Sequence, residues 1–311
     1  EERLKVRYAD AIVPPLSSFL LPLSSLTIVV THYRTPEILW ECLRRLELYA
    51  KDAVKIVVDA NSQDDTLEEL AKRFPEVTGV WTENHSLANA VNTGLKLAKT
   101  PYVLQMNADV YIEEDTVSAM LERLQNPRVG MVSPRCKDKT GKWQNQGLPY
   151  QRYYQYLALT KAKSISVSWV HGCCQMLRRD VLENVGGMNS SYRFYNEDIE
   201  WSWRVRKAGY TCELLSNVVT HLGGSSTPKN PLFLVEGYRG GFVLSQHYKS
   251  ALYQKLHRAV VIAEAGYQSR FAKDDVKRHA YKTIEKMFRN NQFDESPFGE
   301  TLGTANSQFT K

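Results

Sequence analysis

The sequence predicts an α/β fold with a mostly parallel central sheet, followed by a helical region. Short β-branched or apolar runs alternate with helical segments through the first half of the chain, every run ends in polar residues, and from Leu234 to about Arg289 the pattern is helical alone. At 311 residues and 43% hydrophobic composition the chain can bury a full α/β core. We divide it into an N-terminal extension (1–25), a main domain (26–232, with halves 26–110 and 111–232), a basic helical C-terminal region (233–290) and a loosely ordered tail (291–311) rich in Asn, Ser, Gly and Thr.

Leu26–Thr31, Val54–Asp59, Val77–Thr82 and Tyr102–Met106 have the composition of parallel strands buried on both faces. Between the first two, Thr35 stands as N-cap and Pro36 as first residue of a helix whose apolar face carries Ile38, Leu39, Cys42, Leu43 and Leu46. Asp64 and Asp65 open a second helix, Ser86 a third, and Glu113–Leu124 forms a fourth. Beyond Gly130 the alternation weakens. Residues 139–142 read as a hairpin turn, Tyr150, Tyr153, Tyr154 and Tyr156 cluster without a period, Val170–Leu177 reads as a strand, and Glu197–Ala208 as a helix closed by Gly209. Successive β–α units cross over right-handedly, which places a ligand beyond the carboxyl ends of the strands.

The formal charge of +6 is unevenly placed: Lys229 to Asn290 holds 12 Lys+Arg against 5 Asp+Glu, and the remainder is slightly acidic. One basic end points to an anionic surface met there and argues against a nucleic-acid groove across the whole chain. Leu252, Leu256, Val260 and Ala263 form an apolar stripe beside Lys255, His257 and Arg258, which either packs on the main domain or meets an anionic membrane. Five cysteines (Cys42, Cys136, Cys173, Cys174, Cys212) without a C-x-x-C pair lead us to expect a reducing, cytoplasmic compartment. The most apolar early stretch, Ala11–Leu23, is broken by Pro14, Pro15 and Pro22, so neither a signal peptide nor a membrane-spanning helix is expected.

The strand-end rule selects Thr31-His32-Tyr33, Asp59-Ala60-Asn61, Glu83-Asn84 and Asn107-Ala108-Asp109. Any one of these is ordinary loop or cap chemistry, but all four together are not. Asp109 is placed to hold a divalent cation, which stabilises an anionic leaving group. Asn196-Glu197-Asp198-Ile199-Glu200 puts an N-cap and three carboxylates in a first helical turn. Acidic residues there stabilise the helix by roughly 0.3–1 kcal/mol each, whatever else they do. A carboxylate in that field also suits a base that accepts a hydroxyl proton late, as a bond forms to an oxocarbenium-like carbon.

The stretches W-V-H-G-C-C-Q-M-L-R-R-D-V-L-E-N-V-G-G-M-N from Trp169, Y-N-E-D-I-E-W-S-W-R-V-R-K-A-G-Y from Tyr195 and V-V-T-H-L-G-G-S from Val218 closely resemble the family-2 inverting glycosyltransferases of the GT-A fold, particularly bacterial rhamnosyltransferases. V-V-D-A-N-S-Q-D-D-T and E-N-H-S-L-A-N-A-V-N-T-G-L resemble motifs of the same family, and the likeness runs from about Leu26 to Tyr248. It implies a Rossmann-like nucleotide-binding half fused to an acceptor-binding half. Residue by residue, it implies that Asp59 binds a pyrimidine base, with Thr31, Tyr33, Asn84, Asn107 and Ala108 around the nucleotide. Asp109 would hold the metal, Mg²⁺ or Mn²⁺, with His221 as second protein ligand, and Asp198 would be the catalytic base beside Glu197. Gly172 and Cys173 resemble a small-residue turn along the donor pocket, and Trp169 is the candidate for stacking on an acceptor sugar. The implied donor is a dTDP- or UDP-sugar; E-G-Y-R-G-G-F-V-L-S-Q-H-Y (Glu236–Tyr248) points to dTDP-L-rhamnose. The implied acceptor is a glycan or lipid-linked saccharide of cell-envelope polysaccharide synthesis, met in the cytoplasm or at the inner face of the membrane.

Four positions depart from the family pattern. Asn107 replaces the first acid of D-x-D, Ala60 and Asn61 invert the usual order, and Ser86 stands where Gly is preferred. A nucleotidyltransferase is a second reading, but Thr31-His32-Tyr33-Arg34-Thr35 is not the Gly-rich basic loop it needs. A non-catalytic nucleotide-sugar-binding protein is a third, and it has no use for a base opposite a metal site. Cys173 and Cys174 are expected to be simply buried, since a single displacement needs no covalent enzyme intermediate. Trp201 and Trp203 suit the core, and Arg204 suits an ion pair that orients the carboxylates.

Overall fold

The computed structural model of the protein describes residues 21–144, 162–223 and 230–299; the tyrosines from Tyr150 to Tyr156 and the end of T-H-L-G-G-S lie outside them. Strand β1 (Leu26–His32) is buried at every position and lies between β2 (Val54–Asp59) and β4 (Tyr102–Asn107), parallel to both. The register sets Thr31 level with Val58 and Asn107, so the polar strand ends form one rim. β3 (Thr78–Trp81) continues the parallel run beyond β2, but as an edge strand it is largely exposed rather than buried on both faces.

Helices α1 (Pro36–Tyr49), α2 (Thr66–Arg73) and α3 (Leu87–Leu97) connect these strands. α1 starts at Pro36 and buries Leu39, Cys42, Leu43 and Leu46 as its periodicity predicts, with Trp40 in place of Ile38. Each large apolar side chain so buried contributes roughly 1.5–3 kcal/mol. Thr35 makes no capping bond; its hydroxyl lies 3.3 Å from His32 Nδ1 and serves the strand end instead. Ser86 does cap α3, accepting from the Asn89 N–H. Asp64 accepts from the Thr66 N–H at the start of α2. The fourth helix, α4 (Thr116–Leu124), begins later than its sequence suggests, because Asp115 lies in the left-handed region (φ +59°) and the helix cannot extend back through it.

The sheet changes character in its second half. β9 (Cys174–Arg178) inserts antiparallel between β4 and β6 (Val129–Lys137), β10 (Thr211–His221) runs parallel to β6, and the short β5 (Val110–Tyr111) pairs antiparallel with β10. The order is β3-β2-β1-β4-β9-β6-β10-β5. β7 (Trp143–Gln144) returns along β6 through the expected turn, where Asp138 accepts from the Thr140 and Lys142 N–H groups. β8 (Ser164–Val167) pairs with β10. The strand read over Val170–Leu177 begins only at Cys174, because residues 170–173 bend into the site. α5 (Arg179–Val185) and α6 (Glu197–Lys207) follow, α6 closed by Gly209 at φ +93°.

The C-terminal helical pattern resolves into α7 (Leu232–Tyr248), α8 (Ala251–Phe271) and α9 (Asp275–Asn290), with Ser250 and Asp274 capping the last two. They share a core that includes Val235, Phe242, Val261, Ile284 and Phe288. A buried pair, Glu236 and Arg239 at 2.7 Å, fastens α7 to the main domain: Arg239 donates to Ser191 O and Phe293 O, and Glu236 accepts from the Arg193 N–H. The stripe Leu252, Leu256, Val260 and Ala263 does not pack on the main domain and is exposed. Among the described residues no helix is long and apolar enough to cross a membrane. All five cysteines are buried free thiols.

Candidate active site

A cavity of about 740 Å³ opens at the carboxyl ends of β1 and β4. Thr31, Tyr33, Asn84, Asn107, Ala108 and Asp109 line it from the parallel half, and Trp169, Gly172, Cys173, Glu197, Asp198 and His221 from the other. Of the residues expected to act on the nucleotide, metal or sugar, Asp59 does not line it, and neither do Asn61 and Glu83 of the selected strand ends. The Asp59 carboxylate accepts from the Ser62 N–H at 3.0 Å and from the Ser62 hydroxyl, which fastens the turn after β2.

Topology brings Asp109 and His221 together although 112 positions of sequence separate them. The β5–β10 pairing sets Val110 level with His221, and the Leu222 N–H donates to Asp109 O at 2.9 Å. His221 Nε2 then lies 3.4 Å from Asp109 Oδ1. Gln144 fixes which imidazole nitrogen is available. Its Nε2 donates to His221 O at 2.8 Å, so its Oε1 is the atom 2.7 Å from His221 Nδ1. An acceptor there requires a proton on Nδ1 and leaves Nε2 to face the Asp109 carboxylate. Either a proton on Nε2 or a cation between the two atoms satisfies that approach, and their separation is close to that of two ligands each about 2.1 Å from one ion.

His171, Cys173 and His221 also offer ligand atoms within 4.8 Å of one another. Cys173 fits a metal poorly, because burial, with a neighbouring Cys136 thiol, holds its own thiol well above the usual range and therefore protonated. His171 Nδ1 already accepts from the Cys173 N–H at 3.1 Å. Burial lowers the His171 pKa against the pull of Asp198, keeping the ring neutral with its proton on Nε2. The same ring lies 5.3 Å, centroid to centroid, from that of His221 and lines the cavity with Asp109 and Asp198.

Asp198 stands in the first turn of α6 and accepts from two backbone donors: the Gly172 N–H on Oδ2 and the Ile199 N–H on Oδ1, both at 2.8 Å. A Cβ on residue 172 would come within 2.9 Å of Asp198 Cβ, which is why only glycine permits this approach. The turn carrying Gly172 is pinned by a buried amide pair. Gln105 donates to Gly172 O at 2.6 Å and to Gln175 Oε1 at 2.9 Å, and Gln175 donates to Val170 O at 3.1 Å. Asn196 holds the position before α6 in the left-handed region (φ +71°), as does Tyr195 (φ +68°). Asn196 does not cap the helix; its side chain donates to Gly237 O on α7 at 3.2 Å. Two successive non-glycine residues in that region cost of order 1 kcal/mol or more each, an expense concentrated at functional turns.

Glu197 lies in a different environment from its neighbour. Burial first, and then the Asp198 charge, push its carboxyl up to about 8, and its Oε2 is buried without a partner. At neutral pH Glu197 is therefore largely protonated beside Asp198. Trp201 is buried and donates to Gly186 O, and Arg204 pairs with Glu200 at 2.8 Å, the structural roles expected of both.

Sequence reasoning passed over His171, Gln144 and an aromatic wall of Phe194, Tyr195 and Phe233 along the same cavity. Phe194 and Tyr195 directly precede N-E-D and were open to that reading. Gln144 and Phe233 reach the site only through tertiary contacts that no local pattern announces.

Residues 27–186 match the family described as "Glycosyl transferase family 2". The poly-beta-1,6-N-acetyl-D-glucosamine synthase of Staphylococcus aureus (strain COL) is 25% identical over 198 residues, 60% of this chain and 47% of that protein. Its counterpart in Staphylococcus epidermidis is 27% identical over 164 residues, 50% of this chain and 39% of that protein. The chain thus spans about half the length or less of these curated relatives. Among solved structures, the mannosyltransferase PcManGT from Pyrobaculum calidifontis, in complex with GDP-Man and Mn²⁺, superposes with a TM-score of 0.56 at 19% identity, covering 85% of this chain and 84% of that one. S. aureus TarS 1-349 gives 0.53 at 16% identity over 86% and 92% of the two chains. Together with the curled α/β sheet, these matches show that the chain has the GT-A fold and belongs to glycosyltransferase family 2.

Proposed function

We propose that the protein is an inverting glycosyltransferase, moving a sugar from a nucleoside diphosphate to a hydroxyl of a glycan or lipid-linked saccharide. The observation that carries this reading is one cavity lined both by the paired Asp109 and His221 and by the doubly hydrogen-bonded Asp198. Asp109 and His221 would hold Mg²⁺ or Mn²⁺. The cation supplies charge neutralisation to the departing diphosphate. Mn²⁺ in the complexes of PcManGT and of GalNAc-T7, the latter with UDP and GalNAc, supports a cation of this kind.

The chain's own residues divide the remaining work. Thr31, Tyr33, Asn84, Asn107 and Ala108 bound the nucleotide's place, and Asp59 acts there by fixing the turn behind them. Trp169, Phe194, Tyr195 and Phe233 offer flat apolar faces to a sugar ring. Asp198 takes the acceptor's hydroxyl proton on a lone pair that neither Gly172 nor Ile199 occupies. As that proton moves, the new C–O bond forms at the anomeric carbon and the bond to phosphate breaks on the opposite side, so the configuration inverts. Donors to be tested are dTDP-L-rhamnose, UDP-sugars and GDP-sugars. A cytoplasmic site of action and peripheral contact of the basic C-terminal region with an anionic membrane belong to the same reading.

Thermal shift against that donor panel with and without Mn²⁺ identifies the donor, since stability rises by RT ln(1 + [L]/Kd). NMR of the product then shows an anomeric configuration opposite to the donor's. Retention of configuration, or pyrophosphate release from a nucleoside triphosphate, contradicts the proposal.

A further inference from the structure

We infer that the outer face of α8 docks on an anionic lipid bilayer, an inference that rests on the glycosyl-transfer reading for its purpose but is measured apart from it. Leu252, Leu256, Val260, Tyr267 and Phe271 are 59 to 68% exposed on a helix of 21 residues. At helical spacing, with Ala263 between them, they make one apolar face roughly 28 Å long. A contiguous apolar face of that size on a water-soluble surface marks a place where something binds.

Charge decides what binds. Lys255 and Arg270 are exposed on the same helix, and Arg270 lines a depression with Tyr267, Phe271 and the ion pair of Arg289 and Glu285 at 2.8 Å, which leaves that depression one net positive charge. A two-fold pairing of α8 with a second copy, antiparallel, would set Lys255 opposite the partner's Arg270, like charge against like. A bilayer bearing anionic headgroups offers the complement: apolar side chains enter the acyl boundary while the long basic side chains reach phosphates. On the neighbouring α9, Lys282 and Lys286 are exposed on the side of the helix that carries Arg289.

Continuity with the cavity gives this face a use. Val260 also lines a groove between α7 and α8, and Tyr195 and Phe233 line both that groove and the cavity holding Asp198. A bilayer on α8 therefore lies at one end of a path to the base, a geometry suited to an amphiphilic acceptor whose head group enters along the groove.

The test is flotation of the full chain with vesicles of phosphatidylcholine alone and of phosphatidylcholine with phosphatidylglycerol. The protein should float with the anionic vesicles and be released by salt. Lys255→Gln and Arg270→Gln should each lower partitioning by roughly fivefold. Leu256→Glu with Tyr267→Glu should abolish it while the thermal midpoint is unchanged, since both side chains are exposed. No flotation on anionic vesicles, or flotation indifferent to these substitutions, overturns the inference; so does a dimer in solution that Leu256→Glu dissociates. Flotation without any nucleotide-sugar binding would remove the glycosyltransferase reading and leave the docking surface standing.

Discussion

The two walls of the cavity are built by different means. On one side the parallel strands β1 and β4 end together, and their register alone brings Thr31 and Asn107 level. On the other, Gly172, Asp198 and His221 come from segments far apart in sequence and are held by buried polar clasps: Gln105 with Gln175, Asp198 with two N–H groups, Gln144 with His221 and Glu236 with Arg239. The shape of the first wall follows from backbone pairing and should survive single side-chain changes. The second depends on satisfied polar contacts and should not.

The sharpest break in that contrast comes at Asp198. Asp198→Asn should lower transfer roughly a thousandfold while donor affinity by calorimetry stays within about threefold, as expected when a positioned base is lost and binding is not. Arg239→Met leaves Glu236 buried without its partner and should cost about 3–5 kcal/mol in urea unfolding; Glu236→Leu combined with it should recover much of the loss. Gln144→Leu removes the group that fixes the His221 tautomer and should weaken Mn²⁺ binding about 10–100-fold by electron paramagnetic resonance.

Glu197 gives a pH signature. Its folded pKa of about 8 lies above the ordinary 4.5, so the native state holds a proton that the unfolded chain releases between those values. The stabilisation from this group is complete below about 4.5 and declines as pH rises toward 8. Glu197→Gln should flatten that part of the stability–pH curve in thermal unfolding. The smallest effect belongs to the parallel wall: Thr31→Val loses only a 3.4 Å contact to Asn107 and should change donor affinity by about fivefold or less.

The same contrast explains what the sequence disclosed. Strands β1, β2 and β4 and the helices α1 and α3 announce themselves through local periodicity and caps, because burial of contiguous residues decides them. The departures there are local too: Trp40 replaces Ile38 on the buried face, and Thr35 gives its hydroxyl to His32. In the second half, β9 starts four residues later than its apolar run begins, because the buried glutamines pin Val170 to Gly172 into a turn. Asp109 stands out at a strand end and Asp198 in an acidic first turn, whereas His221 rests on resemblance alone, and the β5–β10 pairing supplies the geometry that joins it to Asp109. Gln144 carries no local signal, since its importance lies in one carbonyl and one imidazole on β10. The apolar stripe of α8 was read with two outcomes, and its exposure in the folded chain favours the surface over the core.

The central claim is a division of labour within one cavity, with Asp109 and His221 holding the cation and Asp198 acting as the base. Mn²⁺ titration followed by electron paramagnetic resonance, on the unaltered chain and on Asp109→Asn, His221→Gln and Asp198→Asn, tests it most directly. Binding should be lost or strongly weakened in the first two variants and retained in the third. Retention by the first two, or equal loss in all three, would contradict the division.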